Sequence, residues 1–144
     1  MQVVGFWKRF VAHFIDIFII SIIGTILMLP FIAIGVSSQS EVVSNLLPIL
    51  YILAVIAIVL AYMIVLESSN MQGTFGKKAL GMVVVDENGE RITIKKSIVR
   101  TGSKIGLSWF FYIGYIMVAF TERKQGLHDM IAKTYCVAKE GYKV

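Results

Sequence analysis

The chain has 144 residues, 57% of them hydrophobic and only 16% charged, with a net charge of +5. A soluble domain carries about 25% charged residues and could not hide this much apolar surface, so lipid is the natural place for it. Nucleic acid is a poor match for the positive charge, because the basic residues sit in short stretches flanking apolar runs, as topology signals and contacts to anionic headgroups do. Cys136 is the single cysteine, which excludes an intrachain disulfide.

Lys8 and Arg9 precede the first apolar run. That run is too long for the core of a signal peptide, carries Asp16, and lacks a small-residue cleavage site. It reads as a retained spanning helix over residues 10–36, since roughly 25 residues at 1.5 Å each cross a hydrocarbon core of about 30 Å. Pro30 predicts a kink near its outer end. Ser37 to Glu41 is polar without Lys or Arg, as an outside loop should be. Asn45 as N-cap and Pro48 in the first turn predict a second span over 46–66, antiparallel to the first.

Residues 67–104 turn basic, with Lys77, Lys78, Arg91, Lys95, Lys96, Arg100 and Lys104. The positive-inside rule puts this segment and the N-terminus in the cytoplasm. Within it, two β-branched runs flank Asn88-Gly89, which predicts a β-hairpin over 82–94. A further run, Thr134 to Val137, offers a third strand. The third apolar region, 105–120, is about 16 residues long, short for a straight span. Arg123, Lys124, Lys133, Lys139 and Lys143 follow it. It either forms a re-entrant or hairpin segment over 97–121, with a cytoplasmic tail over 122–144, or crosses once against the charge rule. The charge bias favours the return. Trp109, Tyr112 and Tyr115 suit the interface, and Gly102 with Gly106 makes one small-xxx-small pair. The expected fold is thus one α-helical membrane domain: two spanning helices, a third apolar segment that re-enters or spans, and a small cytoplasmic β-hairpin.

Asp16 is the most informative residue. It lies about 9 Å into the first helix, where a carboxylate costs up to about 2.5–3.5 kcal/mol on insertion scales. Arg9 and His13 share its face, yet roughly 10.5 Å of rise separates Arg9 from Asp16, too far for an ordinary helical pair. Each therefore needs a partner from elsewhere. Glu67 and Asp129 are the candidates to pair with Arg9, which leaves Asp16 free to take a proton or a cation. Charges at a helix end are also often structural, and both readings stand.

Other signals are set aside. Gly73 to Lys78 looks faintly like a phosphate loop, but its glycine spacing is wrong and no hydroxyl residue follows the lysine. His13, His128, Asp129 and Cys136 lack metal-site spacing. No nucleophile setting for an enzyme is recognisable, and no cofactor is implied.

Three blocks carry a family resemblance. Gly5-Phe6-Trp7-Lys8-Arg9-Phe10-Val11-Ala12 leading to Ile15-Asp16, then Gly73-Thr74-Phe75-Gly76-Lys77-Lys78-Ala79-Leu80-Gly81-Met82-Val83-Val84-Val85, then Gln125-Gly126-Leu127-His128-Asp129-Met130-Ile131-Ala132-Lys133-Thr134, resemble in order the signature segments of the RDD family of bacterial membrane proteins. By this resemblance the family's arginine falls on Arg9 and its aspartates on Asp16 and Asp129. The resemblance implies a multi-pass protein of the bacterial inner membrane. It also suggests transport, with monovalent cation/proton antiport proposed for some members and membrane stress or peptidase partners linked to others. The leading expectation is an ion exchanger in which Asp16 carries the proton or cation and Arg9 and Asp129 form the gate. Glu67 and His13 are further members of the pathway. So few helices would need a homo-oligomer to enclose a path. The alternative is a non-transporting interaction subunit that binds lipid headgroups or a membrane partner such as a peptidase.

Overall fold

A computed structural model describes residues 2–110 and 126–141. Helix α1 (Phe6–Ser37) and helix α2 (Glu41–Ser68) form the predicted hairpin. Both are long and apolar enough to cross a membrane, and among the described residues nothing buries their most apolar windows. The mostly helical architecture with two such helices and a small antiparallel sheet is the expected class. The helix α1 continues through Pro30.

Helix α2 starts earlier than expected: its N-cap is Ser40, so Asn45 and Pro48 lie inside the helix. In lipid every backbone group needs an internal partner, which favours extending both helices to the shortest loop. That outweighs the one hydrogen bond lost at Pro48. Toward the loop, the Tyr51 hydroxyl donates to the Gly24 carbonyl at 3.1 Å, and the Tyr51 ring meets Phe31 edge-on at 5.6 Å. An apolar groove of about 290 Å³ opens beside them, lined by Met28, Phe31, Ile32, Leu47 and Tyr51.

The rest of the chain is a small module on the charged end of the hairpin. It comprises α3 (Phe75–Ala79), β1 (Met82–Asp86), α4 (Ile94–Phe110), α5 (Leu127–Ile131) and β2 (Thr134–Ala138). Strand β1 pairs antiparallel with β2, Met82 opposite Ala138 and Asp86 opposite Thr134. The N-terminal segment joins this sheet: Val4 N–H donates to the Cys136 carbonyl at 2.9 Å, and Ala138 N–H to Gln2 at 3.0 Å. Val84, Val85, Cys136 and Val137 are buried in its centre.

The expected β-hairpin over 82–94 is therefore corrected in its second strand. The turn forms: Gly89 takes φ +78°, and the Asp86 carboxylate accepts the Asn88 and Glu90 N–H groups, each at 2.9 Å. The returning strand, however, lasts for a single bridge, Val85 to Arg91. The Thr93 hydroxyl then accepts the Lys96 N–H at 3.3 Å, an N-cap that starts α4 in place of a strand. Thr134 to Val137, expected as a third strand, supplies the true partner of β1. The third apolar region is described only to Phe110, as part of α4. Its choice between re-entry and a single span, and the positions of Tyr112, Tyr115, Arg123 and Lys124, fall outside the described residues.

Candidate functional site: a buried charge cluster at the hairpin's end

The first turns of α1 and the last turns of α2 meet α3, α4 and α5 around a polar centre. Arg9, Asp16, Glu67, Arg100, His128 and Asp129 are all buried there. Buried charges must be paired and hydrogen-bonded, and these are. Arg100 on α4 bridges two carboxylates: its Nη1 donates to Glu67 at 2.8 Å, and its Nε and Nη2 donate to Asp129 Oδ1 at 2.9 and 2.6 Å. Arg9 donates to the other Asp129 oxygen and, through Nε, to the Val4 carbonyl at 3.1 Å. Glu67 also accepts from Lys77 and from Lys104 at 3.1 Å. Asp129 folds back on its own helix start, accepting the Gly126 N–H at 3.4 Å.

Asp16 stands apart from these ion pairs. Its Oδ1 accepts the Tyr62 hydroxyl at 2.7 Å and the Gly76 N–H at 2.8 Å, and its Oδ2 accepts the Thr74 hydroxyl at 2.5 Å. The Tyr62 oxygen in turn accepts the Phe75 N–H at 3.2 Å. The first donors of α3, which lack intrahelical partners, thus end on side chains from α1 and α2. The faint likeness of this glycine segment to a phosphate loop has a physical basis, since its N–H groups do hold an anion. That anion is the protein's own Asp16.

The structure brings Arg9 and Asp129 into direct contact and keeps Arg9 away from Asp16, as the helical rise requires. Glu67 pairs with Lys77, Arg100 and Lys104, and not with Arg9. His13 lines a small cavity with Asp16, Glu67, Lys77, Lys104 and His128. Arg100, Tyr62, Thr74, Lys77 and Lys104 are members of the site that the sequence reading did not assign to it. Among the described residues no group of three or more His, Cys, Asp or Glu is placed to hold a metal ion.

The cavity measures about 30 Å³, room for one or two waters, since a buried water needs about 10–15 Å³. Among the described residues, Arg9, Lys77, Arg100 and Lys104 gather around Asp16, Glu67 and Asp129. Burial pulls the Lys77 ammonium down to about 8, against the attraction of Glu67, so it still holds its proton at neutral pH.

The cluster makes the fold acid-sensitive. Burial pushes the His128 imidazole down to about 3, although Asp129 beside it pulls the other way. At Asp129 burial pulls upward, but the guanidiniums of Arg100 and Arg9 outweigh it and hold the carboxyl well below its ordinary range. Both groups bind fewer protons folded than unfolded. Stability is therefore fully present near neutrality. It falls as pH drops below 6.5, the ordinary histidine value, and falls further below 3.8, where the unfolded aspartate protonates. Melting in detergent should show Tm declining from pH 7 to pH 4, and His128→Gln should flatten the upper part of that decline.

The sequence profile of the RDD family matches residues 3–133. "Uncharacterized protein YxaI" of Bacillus subtilis (strain 168) is 41% identical over 151 residues, covering 94% of this chain and 97% of that protein. "Uncharacterized membrane protein YteJ" of the same organism is 31% identical over 143 residues, covering 96% of this chain and 83% of that protein. No solved structure matches. Arg9, Asp16 and Asp129 all lie within the matched range and are buried. With the profile match spanning nearly its whole length and two candidate spans, the chain is a membrane protein that belongs to the RDD family.

Proposed function

We propose that the chain is a membrane interaction subunit. In this reading the charge cluster locks the small module onto the helix hairpin, and the apolar flanks of α1 and α2 receive a partner membrane protein. The observation that carries it is the state of the cluster. Asp16, Glu67 and Asp129 each already have two or more donors, and the cavity has room for only one or two waters. Support for the docking role comes from the hairpin, whose apolar windows have no cover among the described residues. The groove between its helices is 290 Å³ in volume. Helix association in lipid is driven by such close packing. The basic residues around the cluster support a cytoplasmic position for this end, in a multi-pass protein of the bacterial cell membrane. A membrane peptidase is the first partner class to test, given the family resemblance.

In-cell photo-crosslinking tests the reading. A photoreactive residue at Ile32 or Ile56, both about half exposed, should yield one discrete protein adduct of constant mass. Adducts to lipid alone at both positions would sink it. Cation/proton exchange is the second reading. What favours it is that Asp16 and Tyr62 meet inside the paired spans, beside the water-sized cavity. It requires a homo-oligomer to enclose a route.

A further inference from the structure

Helix α4 is an amphipathic helix turned inside out. Ser97, Arg100, Thr101 and Lys104 fall within about 100° on a helical wheel. The first three are buried, and Lys104 is nearly so. Three of them have partners inside the protein: Arg100 and Lys104 pair with Glu67, and the Ser97 hydroxyl donates to the Ile64 carbonyl at 3.1 Å. An apolar stripe flanks that face: Ile94, Ile98 and Ile105 lie within about 40° of one another, about 90° round the helix from its centre, and are 61%, 50% and 52% exposed; the exposed Lys95 and Val99 lie opposite the buried polar face.

A water-facing helix shows the reverse pattern, apolar inward and charged outward. Charged groups turned toward the protein interior and apolar ones turned out are the arrangement of a segment surrounded by lipid. The depth agrees. Ser97 bonds to a carbonyl within α2, so α4 packs at the level of the last turns of a candidate span. At that level Val65 of α2 is itself 58% exposed. Lys95 is exposed on the same helix, with a stem long enough to carry its ammonium up to headgroup phosphates.

We infer that α4 is inserted in the bilayer at the acyl–headgroup boundary, with Ile94, Ile98 and Ile105 against lipid chains. The ion pairs of Arg100 then lie beneath a lipid-covered helix and not beneath a water-covered one. This goes beyond the proposed function and holds under either functional reading.

Spin-label accessibility on the full chain in nanodiscs tests it. In a Cys136→Ala background, a nitroxide is placed at Ile98→Cys, at Ile105→Cys and, as a water-exposed reference, at Glu87→Cys. The inference expects the ratio of oxygen to nickel-chelate collision rates at Ile98 and Ile105 to exceed that at Glu87 severalfold. Ratios equal to the reference at both sites would overturn it, by showing the stripe in water. Protection from both reagents at both sites would also overturn it, by showing a protein surface on the stripe. Ile98 and Ile105 are each half exposed, so failure of one variant to fold leaves the other to decide.

Discussion

Gly76→Ala should destabilise the protein by about 3 kcal/mol or more, at or beyond the upper end of the usual cost of overpacking. A β-carbon at this position would sit 2.1 Å from the Ala12 carbonyl oxygen and 2.9 Å from the Asp16 carboxylate. The first is helix backbone, which cannot step aside without breaking α1. The second is anchored by Tyr62 and Thr74. Moving α3 away would also stretch the Gly76 N–H bond to Asp16, leaving a buried carboxylate short of a donor. The effect therefore couples the module to the hairpin and should appear as a loss of cooperative unfolding for the whole chain. Gly102 on α4 is the contrast, since nothing lies within 4 Å of a β-carbon there. Gly102→Ala should be neutral or stabilise by about 0.5–1 kcal/mol, the ordinary gain for alanine within a helix. Denaturant unfolding in detergent, followed by tryptophan fluorescence, measures both.

Arg100→Met should cost about 3 kcal/mol, the lower end of the range for removing one partner of a buried ion pair. The lower end applies because neither carboxylate is wholly orphaned. Glu67 keeps Lys77 and Lys104, and Asp129 keeps Arg9. What is lost is the neutralisation of Asp129 Oδ1, which takes two of the three hydrogen bonds that Arg100 makes. Adding Asp129→Asn to Arg100→Met should recover part of the loss, because the uncompensated charge disappears. Arg100→Lys should not rescue fully, since one ammonium cannot bridge Glu67 and Asp129 as a planar guanidinium does. The pair between Lys133 and Glu87 is 3.8 Å long with both side chains largely exposed, so Lys133→Ala should change stability by about 0–1 kcal/mol.

The hairpin was legible because spanning length and apolarity are properties of composition alone. Its ends were less so: Asn45 and Pro48 look like a helix start, but the demand for paired backbone in lipid pulled the start back to Ser40. The Asn88-Gly89 turn was readable from its residues, whereas the identity of its returning strand was not. Thr93 competes as a helix cap, and the winning partner, Thr134 to Ala138, is remote in sequence. Pairing of Arg9 with Asp129 was one of two alternatives, and helical rise correctly separated Arg9 from Asp16. Arg100 was missed because it lies in a basic stretch that topology already explains. The signal that could have found it was its company: Ser97, Thr101 and Lys104 share its face while a stripe of isoleucines flanks it. Tyr62 and Thr74 carried no comparable signal, since a tyrosine in an apolar span and a threonine in a glycine-rich turn are both common.

In the proposed function the buried cluster is a fastening and not a conduit, and proton flux across a reconstituted membrane tests that most directly. Proteoliposomes containing the wild-type chain and Asp16→Asn, each with its folded fraction measured, would be challenged with Na⁺, K⁺ or Li⁺ gradients while internal pH is recorded. The account predicts no cation-driven proton flux above empty liposomes for either protein, with Asp16→Asn lowering Tm because its carboxylate no longer accepts three donors. A wild-type flux that Asp16→Asn abolishes while its folded fraction stays unchanged would contradict it.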